Sequence, residues 1–317
     1  MSQHYLITGG TGSWGQELTR QLLERDPKSI TIYSRGEFAQ VTMQRKFNNS
    51  RLKFIIGDVR DLDQLNLACK GIDVVYHLAA LKHIPICEDY PYEAIKTNIT
   101  GVENIIKAAI ANNVEKVVDV STDKAAGPLN IYGMTKAIGE KLILHANKLN
   151  STKFVCIRGG NVLGSNGSVV PYFIDQIKRF NKVTVTDDRM TRYFLTLEEA
   201  VKLVLTAGDF DMPGGLFVMK MPSCKIIDLA NVLISEYGVS NTKAEIIGLR
   251  LGEKLHETLI TEYEAPDCYR FNDNYYLVYH QDIGLEKVGF TSYTSDSQPL
   301  MARGAITELL HKGGFLL

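Results

Sequence analysis

Tyr132 and Lys136 stand four residues apart in NIYGMTK, one helical turn, so their side chains share one face of a helix. A nearby ammonium stabilises phenolate, which equips Tyr132 to exchange a proton with a substrate hydroxyl. Just upstream, VSTDKAAGP puts Thr122, Asp123 and Lys124 at the end of a β-branched run. In open α/β sheets, that strand end is where ligands bind. An isolated TDK would read as a turn former beside a solvated charge, and an isolated YxxxK as an exposed helix start. Five polar groups converging on one strand mouth point instead to general acid–base chemistry.

The elements that must hold these groups are legible as alternating strands and helices. Strands are expected at Tyr5–Thr8, Ile30–Ser34, Lys53–Ile56, Val74–Leu78, Lys116–Ser121 and Phe154–Arg158, with amphipathic helices such as Gly15–Glu24 and Glu93–Ala111 between them. Runs apolar on both faces suit a parallel sheet covered by helices on each side, a doubly wound α/β Rossmann fold. Residues 1–164 are expected to form that dinucleotide-binding domain, with 191–219 returning to it. Residues 165–190 and 220–317 are expected to make mainly a smaller, discontinuous substrate-binding part.

The first strand, YLIT, opens into GGTGSWG and then a helix, so Gly9, Gly12 and Gly15 form a GxxGxxG turn. Such a turn lets backbone approach a pyrophosphate, and the helix N-terminus offers free N–H groups to it. An ordinary βα turn is the alternative; strand, turn and helix in order favour dinucleotide binding. The second strand ends in Ser34 and Arg35, where NAD binders place an acid for the ribose. Arg35 can pair with a 2′-phosphate, so NADP is expected rather than NAD. Asp58 and Val59, after the third strand, are suited to the adenine.

Basic and acidic residues number 35 and 36, a net charge of -1, which leaves no footprint for nucleic acid or an anionic membrane. No apolar run approaches the ~20 residues of a membrane span, and no secretory leader is visible, so a cytoplasmic protein is expected. The five cysteines, Cys69, Cys87, Cys156, Cys224 and Cys268, are scattered and read as buried thiols. His83 and His256 lack a second ligand at suitable spacing, so no metal is expected.

The succession TGGTGSWG, YSR, GDVRD, HLAALKHIP, STDKA…YGMTK, GNVLGSNGSVVP, MTRYFLTLEEA and RLGEKLHE resembles the inverting UDP-N-acetylglucosamine 4,6-dehydratases. These are extended short-chain dehydrogenases/reductases that open the pseudaminic-acid route to bacterial surface sugars. The resemblance runs from residue 5 to about residue 260. It implies that Tyr132 oxidises the sugar at C4 with NADP⁺, that Lys124 removes the C5 proton and that Asp123 protonates the departing 6-hydroxyl. Thr122 and Lys136 complete the catalytic set. Lys124 is expected to be neutral, its pKa lowered by adjacent cations and desolvation. Where this chain has Asp123-Lys124, dehydratases of the dTDP-glucose type usually carry Asp-Glu.

The resemblance also implies contacts of Gly9, Thr11, Gly12, Ser13, Trp14 and Gly15, of Leu78, Ala79 and Lys82, and of Tyr132 and Lys136 with the cofactor. Lys82, Asn161, Val169, Thr186, Arg250 and Glu253 would hold the UDP-sugar, and a homo-oligomer is expected. Two positions depart from the family pattern. Arg158-Gly159-Gly160-Asn161 stands where Arg-Tyr-Gly-Asn is usual, and Asn166 falls where Gly-Ser-Arg-Gly is usual. A 5,6-ene-forming enzyme, a UDP-sugar 5-epimerase and a nucleotide-sugar 4-epimerase remain as alternatives, the last needing no elimination pair. A non-catalytic NADP sensor would tend to lose YxxxK.

Overall fold

Six β-branched runs of the first 160 residues form parallel strands: β1 His4–Thr8, β2 Ser29–Ser34, β3 Leu52–Ile56, β4 Val74–His77, β5 Lys116–Thr122 and β6 Lys153–Gly159. They are seen in a computed structural model that describes residues 3–149, 152–164, 168–210, 214–250 and 252–316. Their spatial order is β3-β2-β1-β4-β5-β6, the doubly wound order with its reversal between β1 and β4. Strand Leu216–Met219 continues the sheet in parallel beside β6. Val117, Val118, Phe154 and Val155 are wholly buried, as strands covered on both faces must be.

Helices Ser13–Leu23 and Leu197–Asp209 pack together on one side of the sheet. Helix Gly101–Ala111 packs against helix Ile131–Ala146, which also contacts β5 and β6. The stretch expected as one helix over 93–111 is instead Pro91–Ile95, a π-helical turn Lys96–Thr100, and Gly101–Ala111. The wider turn places Asn98 inward, where its amide brackets Leu81: Leu81 N–H donates to Oδ1 and Nδ2 donates to Leu81 O, both at 2.9 Å. Nδ2 also donates to Thr135 Oγ1 at 3.0 Å, tying the loop after β4 to helix Ile131–Ala146. Interruptions of this kind recur near functional sites.

Two features differ from the sequence expectation. Strands Cys268–Arg270 and Tyr275–Val278 form an antiparallel hairpin that finishes the large nine-stranded sheet beyond Leu216–Met219, although they lie in the 220–317 region. Strand Thr191–Leu195 joins a separate three-stranded sheet with Ser223–Lys225 and Asn161–Val162, so of 191–219 only its later elements meet the large sheet. Both outcomes depend on long-range pairing, which local spacing does not encode. A second apolar core gathers Val170, Phe173 and Ile177 with Leu229, Leu233, Ile306 and Leu310, apart from the core around the large sheet. The cleft lies at the seam between them, where both cores contribute walls.

Arg158 crosses the interior with 2% exposure. It donates to Glu140 on helix Ile131–Ala146 (Nε–Oε1 3.0 Å, Nη2–Oε2 2.5 Å), to Glu264 (2.9 and 3.0 Å) and to Leu259 O at 2.8 Å. One guanidinium fork thereby fixes the helix of Tyr132 against the segment 257–264. All five cysteines are buried, unpaired thiols.

Candidate active site

β5 ends in Thr122, and a single 3₁₀ turn, Asp123–Ala125, carries Lys124 into the cleft with the buried Asp123 carboxyl behind it. Helix Ile131–Ala146 starts directly over that turn, capped by Asn130, whose Oδ1 accepts from Gly133 N–H at 2.9 Å. At Gly133 a Cβ would stand 2.2 Å from Lys124 O, so any side chain there must push the turn away. Tyr132 is thereby brought to the same cleft wall as Thr122. Burial raises the Tyr132 pKa, and the opposing pull of Lys136 and Thr122 does not offset it, so the net shift is upward. The lowered phenol pKa suggested by YxxxK alone is therefore not what the free protein holds.

Lys136 is buried, its Nζ 3.3 Å from Asp119 Oδ2 in the middle of β5. Desolvation opposes its charge, yet Asp119 wins and holds the ammonium's pKa above its ordinary value. Asp119 sits in a polar row that crosses the sheet through the register Thr8–His77–Asp119–Cys156. The Thr8 hydroxyl lies 2.7 Å from His77 Nδ1.

Lys124 reaches two carboxylates, Asp123 Oδ1 at 2.9 Å and Glu257 Oε1 at 3.4 Å. The Thr122 hydroxyl donates to the same Asp123 oxygen at 2.9 Å. Desolvation would discharge Lys124, but Asp123 and Glu257 outweigh it, and the net shift is upward. The sequence expectation of a lysine made neutral by neighbouring cations is corrected: its nearest partners are anions, and the resting group is an ammonium. Burial raises the Asp123 pKa, Lys124 opposes and Glu257 adds to it, so this carboxyl holds its proton to higher pH than usual. For Glu257, burial pushes the same way, but Lys124, Arg192 and Lys254 together hold it below its ordinary value.

The glycine turn is tightly packed. Gly9 has φ +68°, and a Cβ there would stand 3.0 Å from Ala79 backbone; one at Gly15 would meet Gly10 O at 2.3 Å. Thr11, Gly12 and Ser13 lead into helix Ser13–Leu23, whose first N–H groups carry no side-chain cap. Trp14, Leu78, Lys82, Tyr132 and Lys136 line a cleft of about 340 Å³ with Thr122 and Lys124. Ser34, Arg35, Asp58 and Val59 lie further out, at the ends of β2 and β3. Arg35 is exposed, while Ser34 accepts from Gln40 Nε2 at 3.0 Å. The Asp58 carboxylate is held by Arg60 at 2.6 and 2.9 Å, and Val59 is buried.

Asn161, Val169, Thr186, Arg250 and Glu253 come together around a second chamber of about 450 Å³. Asn161 also lines the first cleft, and Asn161, Arg192 and Glu253 line a smaller pocket of about 140 Å³ with Lys124 and Glu257. The segment over it is strapped down. Arg192 donates to the carbonyls of Thr191, Leu255 and Lys254 (2.7–3.0 Å), and Lys254 Nζ donates to Ala126 O at 2.6 Å. At Gly159 a Cβ would stand 3.0 Å from Met219 Sδ, and Gly160 N–H donates to Met221 Sδ at 2.9 Å. Two thioethers thus flank the two glycines where the family pattern has Tyr-Gly. Asn166 lies outside the described residues.

Sequence reasoning passed over Glu257, Arg192 and Asp119. The first two stood inside quoted motifs, RLGEKLHE and MTRYFLTLEEA, and the third interrupts an apolar strand, KVVDVST; a charge in such a run was the available signal.

A sequence model described as polysaccharide biosynthesis protein matches residues 5–279. The chain is 41% identical over 321 residues to a Campylobacter jejuni protein named UDP-N-acetylglucosamine 4,6-dehydratase (inverting), covering 95% of this chain and 94% of the relative. It is 44% identical over 282 residues to a Rickettsia bellii protein named UDP-glucose 4-epimerase, covering 86% and 82%. The crystal structure of Pen from Bacillus thuringiensis superposes with TM-score 0.94 at 38% identity, covering 100% of this chain and 99% of that one. With the glycine turn, the YxxxK helix and the doubly wound sheet in place, the chain belongs to the polysaccharide biosynthesis protein family of extended short-chain dehydrogenases/reductases.

Proposed function

We propose that this protein is an NADP-dependent dehydratase that converts UDP-N-acetylglucosamine to a UDP-4-keto-6-deoxy sugar with inversion at C5. The observation that carries the reading is the Asp123–Lys124 pair, hydrogen-bonded at 2.9 Å beside Thr122 and Tyr132 at a cleft that shares the Asn161 wall with a second chamber. The turn at Gly9 and Gly15, which a Cβ would fill, and the uncapped helix start behind it fit a dinucleotide pyrophosphate. Arg35 supports a 2′-phosphate and hence NADP. Bound NADP⁺ would accept the hydride from C4 and, once reduced, return one at C6.

The chain's own groups supply the protons. Tyr132 acts as its phenolate: its own proton leaves to solvent first, Lys136 stabilises the ionised form with Thr122 beside it, and the phenolate then takes the proton of the 4-hydroxyl. In the resting pair Lys124 carries a proton, so the 2.9 Å hydrogen bond must first pass that proton to Asp123. The upward-shifted Asp123 carboxyl is suited to receive it. Neutral Lys124 then removes the C5 proton, made acidic by the neighbouring ketone, and Asp123 protonates the 6-hydroxyl as it leaves as water. The pair ends as ammonium and carboxylate, its resting form. A solvent proton added to C5 from the opposite face gives inversion, and Tyr132 releases to solvent the proton it took from the 4-hydroxyl, so the protons balance. Arg250 and Glu253 would bind the diphosphate and a ribose hydroxyl, with Asn161, Val169 and Thr186 around the nucleotide.

The second reading is a 4-epimerase, favoured by the Rickettsia relative; it leaves Asp123 and Lys124 without a task. Incubation with UDP-N-acetylglucosamine in D₂O, followed by NMR and mass, separates the two: loss of water with deuterium at C5 supports dehydration, an unchanged mass and an inverted C4 the epimerase. In single turnover, Lys124→Ala should form NADPH but lose C5 exchange and water loss by about 10²–10⁴-fold. Tyr132→Phe should form no NADPH. Native dehydration by Lys124→Ala would overturn the assignment. A homo-oligomer is part of the proposal, supported by exposed Ile86, Tyr90, Ile95, Met134 and Ile138 on adjoining helices. A monomer of 35.4 kDa in light scattering would contradict it.

A further inference from the structure

Glu257 has no role in the chemistry above, yet it is built into the site with unusual care. It is 3% exposed, and its Oε1 stands 3.4 Å from both Lys124 Nζ and Arg192 Nε. Its backbone is pinned at both ends of the peptide unit: its N–H donates to Ser295 Oγ at 2.9 Å and its carbonyl accepts from Ser295 N–H at 2.8 Å. Arg192, held by three carbonyls, cannot follow the carboxylate if it moves. Burying a carboxylate costs several kcal/mol unless it is paired. Neutralising Arg192 alone would explain one contact; it leaves the shared contact with Lys124 unexplained.

We propose that Glu257 is the positioning residue of the elimination: it holds Lys124 Nζ between itself and Asp123 at the mouth of β5, and so sets the pH range in which that pair works. This rests on the reading of Lys124 as the base. Several other charged and titratable groups surround the pair. Tyr132 approaches from helix Ile131–Ala146, and Arg192 and Tyr193 from strand Thr191–Leu195. Lys254 approaches from the same segment as Glu257, where His256 is already paired with Asp296 at 3.7 Å. Among the described residues, Asp123 and Glu257 are the two carboxylates within 4 Å of Lys124 Nζ.

Removing a negative charge lowers the proton affinity of both neighbours, so the direction of the test is fixed. With Glu257→Gln, the pH profile of C5 deuterium exchange from UDP-N-acetylglucosamine should move acidward by about 1–3 units. The profile of NADPH formation, which Tyr132 starts, should stay in place. Glu257→Asp keeps the charge but withdraws it; its exchange profile should stay put while its exchange rate falls about 10-fold or more. A Glu257→Gln exchange profile that does not move, or that moves together with NADPH formation, overturns the proposal. If Glu257→Gln does not fold, native C5 exchange by Glu257→Asp overturns it. Lys124→Ala run alongside separates the two levels. Should that variant retain exchange, the dehydratase reading fails; should it be inactive while Glu257→Gln is unshifted, only the role of Glu257 fails.

Discussion

Gly133→Ala adds one methyl group where the helix of Tyr132 rests on the turn of Lys124. The new Cβ would stand 2.2 Å from Lys124 O and 3.1 Å from Pro128 Cβ. Tolerable C···O separations begin near 3.3 Å, so the contact must open by about 1 Å. Over-packing of this kind costs about 1–3 kcal/mol, and alanine returns up to about 1 kcal/mol of helix propensity. The net loss of stability should therefore be about 0–3 kcal/mol. Activity should suffer more, because a displacement of about 1 Å in a catalytic group costs about 10²-fold in rate. Gly139→Ala, in the same helix, is the control: its Cβ would stand 3.3 Å from Asn98 O and 3.5 Å from Val102 Cγ2, which small adjustments relieve. Thermal melts and product formation followed by NMR give both quantities. Native turnover in Gly133→Ala, or an equal loss in Gly139→Ala, would refute the reasoning.

Two further outcomes are expected. The native protein should bind NADP(H) more tightly than NAD(H), and Arg35→Asp should weaken NADP(H) by about 10–100-fold, the worth of a hydrogen bond between charged groups; calorimetry showing a native preference for NAD would contradict this. Burial holds the His77 pKa down to about 4. Since the folded value lies below the unfolded one, near 6.5, its contribution is complete above pH 6.5 and is lost as pH falls toward 4, by about 3 kcal/mol. Urea unfolding across that window should show a flatter decline in His77→Asn, and an equally steep one would exclude His77 as a source.

The strands of the sheet were legible because each is a short β-branched run bounded by turn residues, and their ends fell within a residue or two of Lys116–Thr122 or Ser29–Ser34. The glycine turn was legible for a local reason as well, since strand, GGTGSWG and helix are contiguous. What escaped is set by distance along the chain. Cys268–Arg270 and Tyr275–Val278 are short runs, and nothing in them names Leu216–Met219 as the neighbour of Tyr275–Val278. The charge state of Lys124 escaped for the same reason: Glu257 lies 133 positions away in sequence and 3.4 Å away in space. Lys136 carried a similar blind spot, because Asp119 looks like a flaw in an apolar strand until the helix is laid over it.

The π-helical turn at Lys96–Thr100 makes chain length, rather than side-chain identity, a control on the cleft. A π turn holds one residue more than the α-helix it interrupts. Deleting a single residue there would restore a continuous rod, and each residue of an α-helix is worth about 100° of rotation. Because the π turn already absorbs that rotation, Pro91–Ile95 and Gly101–Ala111 would keep their register, but the widened turn that carries Asn98 inward would close, and Asn98 would release both Leu81 and Thr135. The loop that carries Lys82 and His83 would lose its anchor although no residue in it had changed. Among related chains, a one-residue gap in this stretch should therefore accompany a rewritten loop after β4, a signature that comparison of substitutions alone would miss.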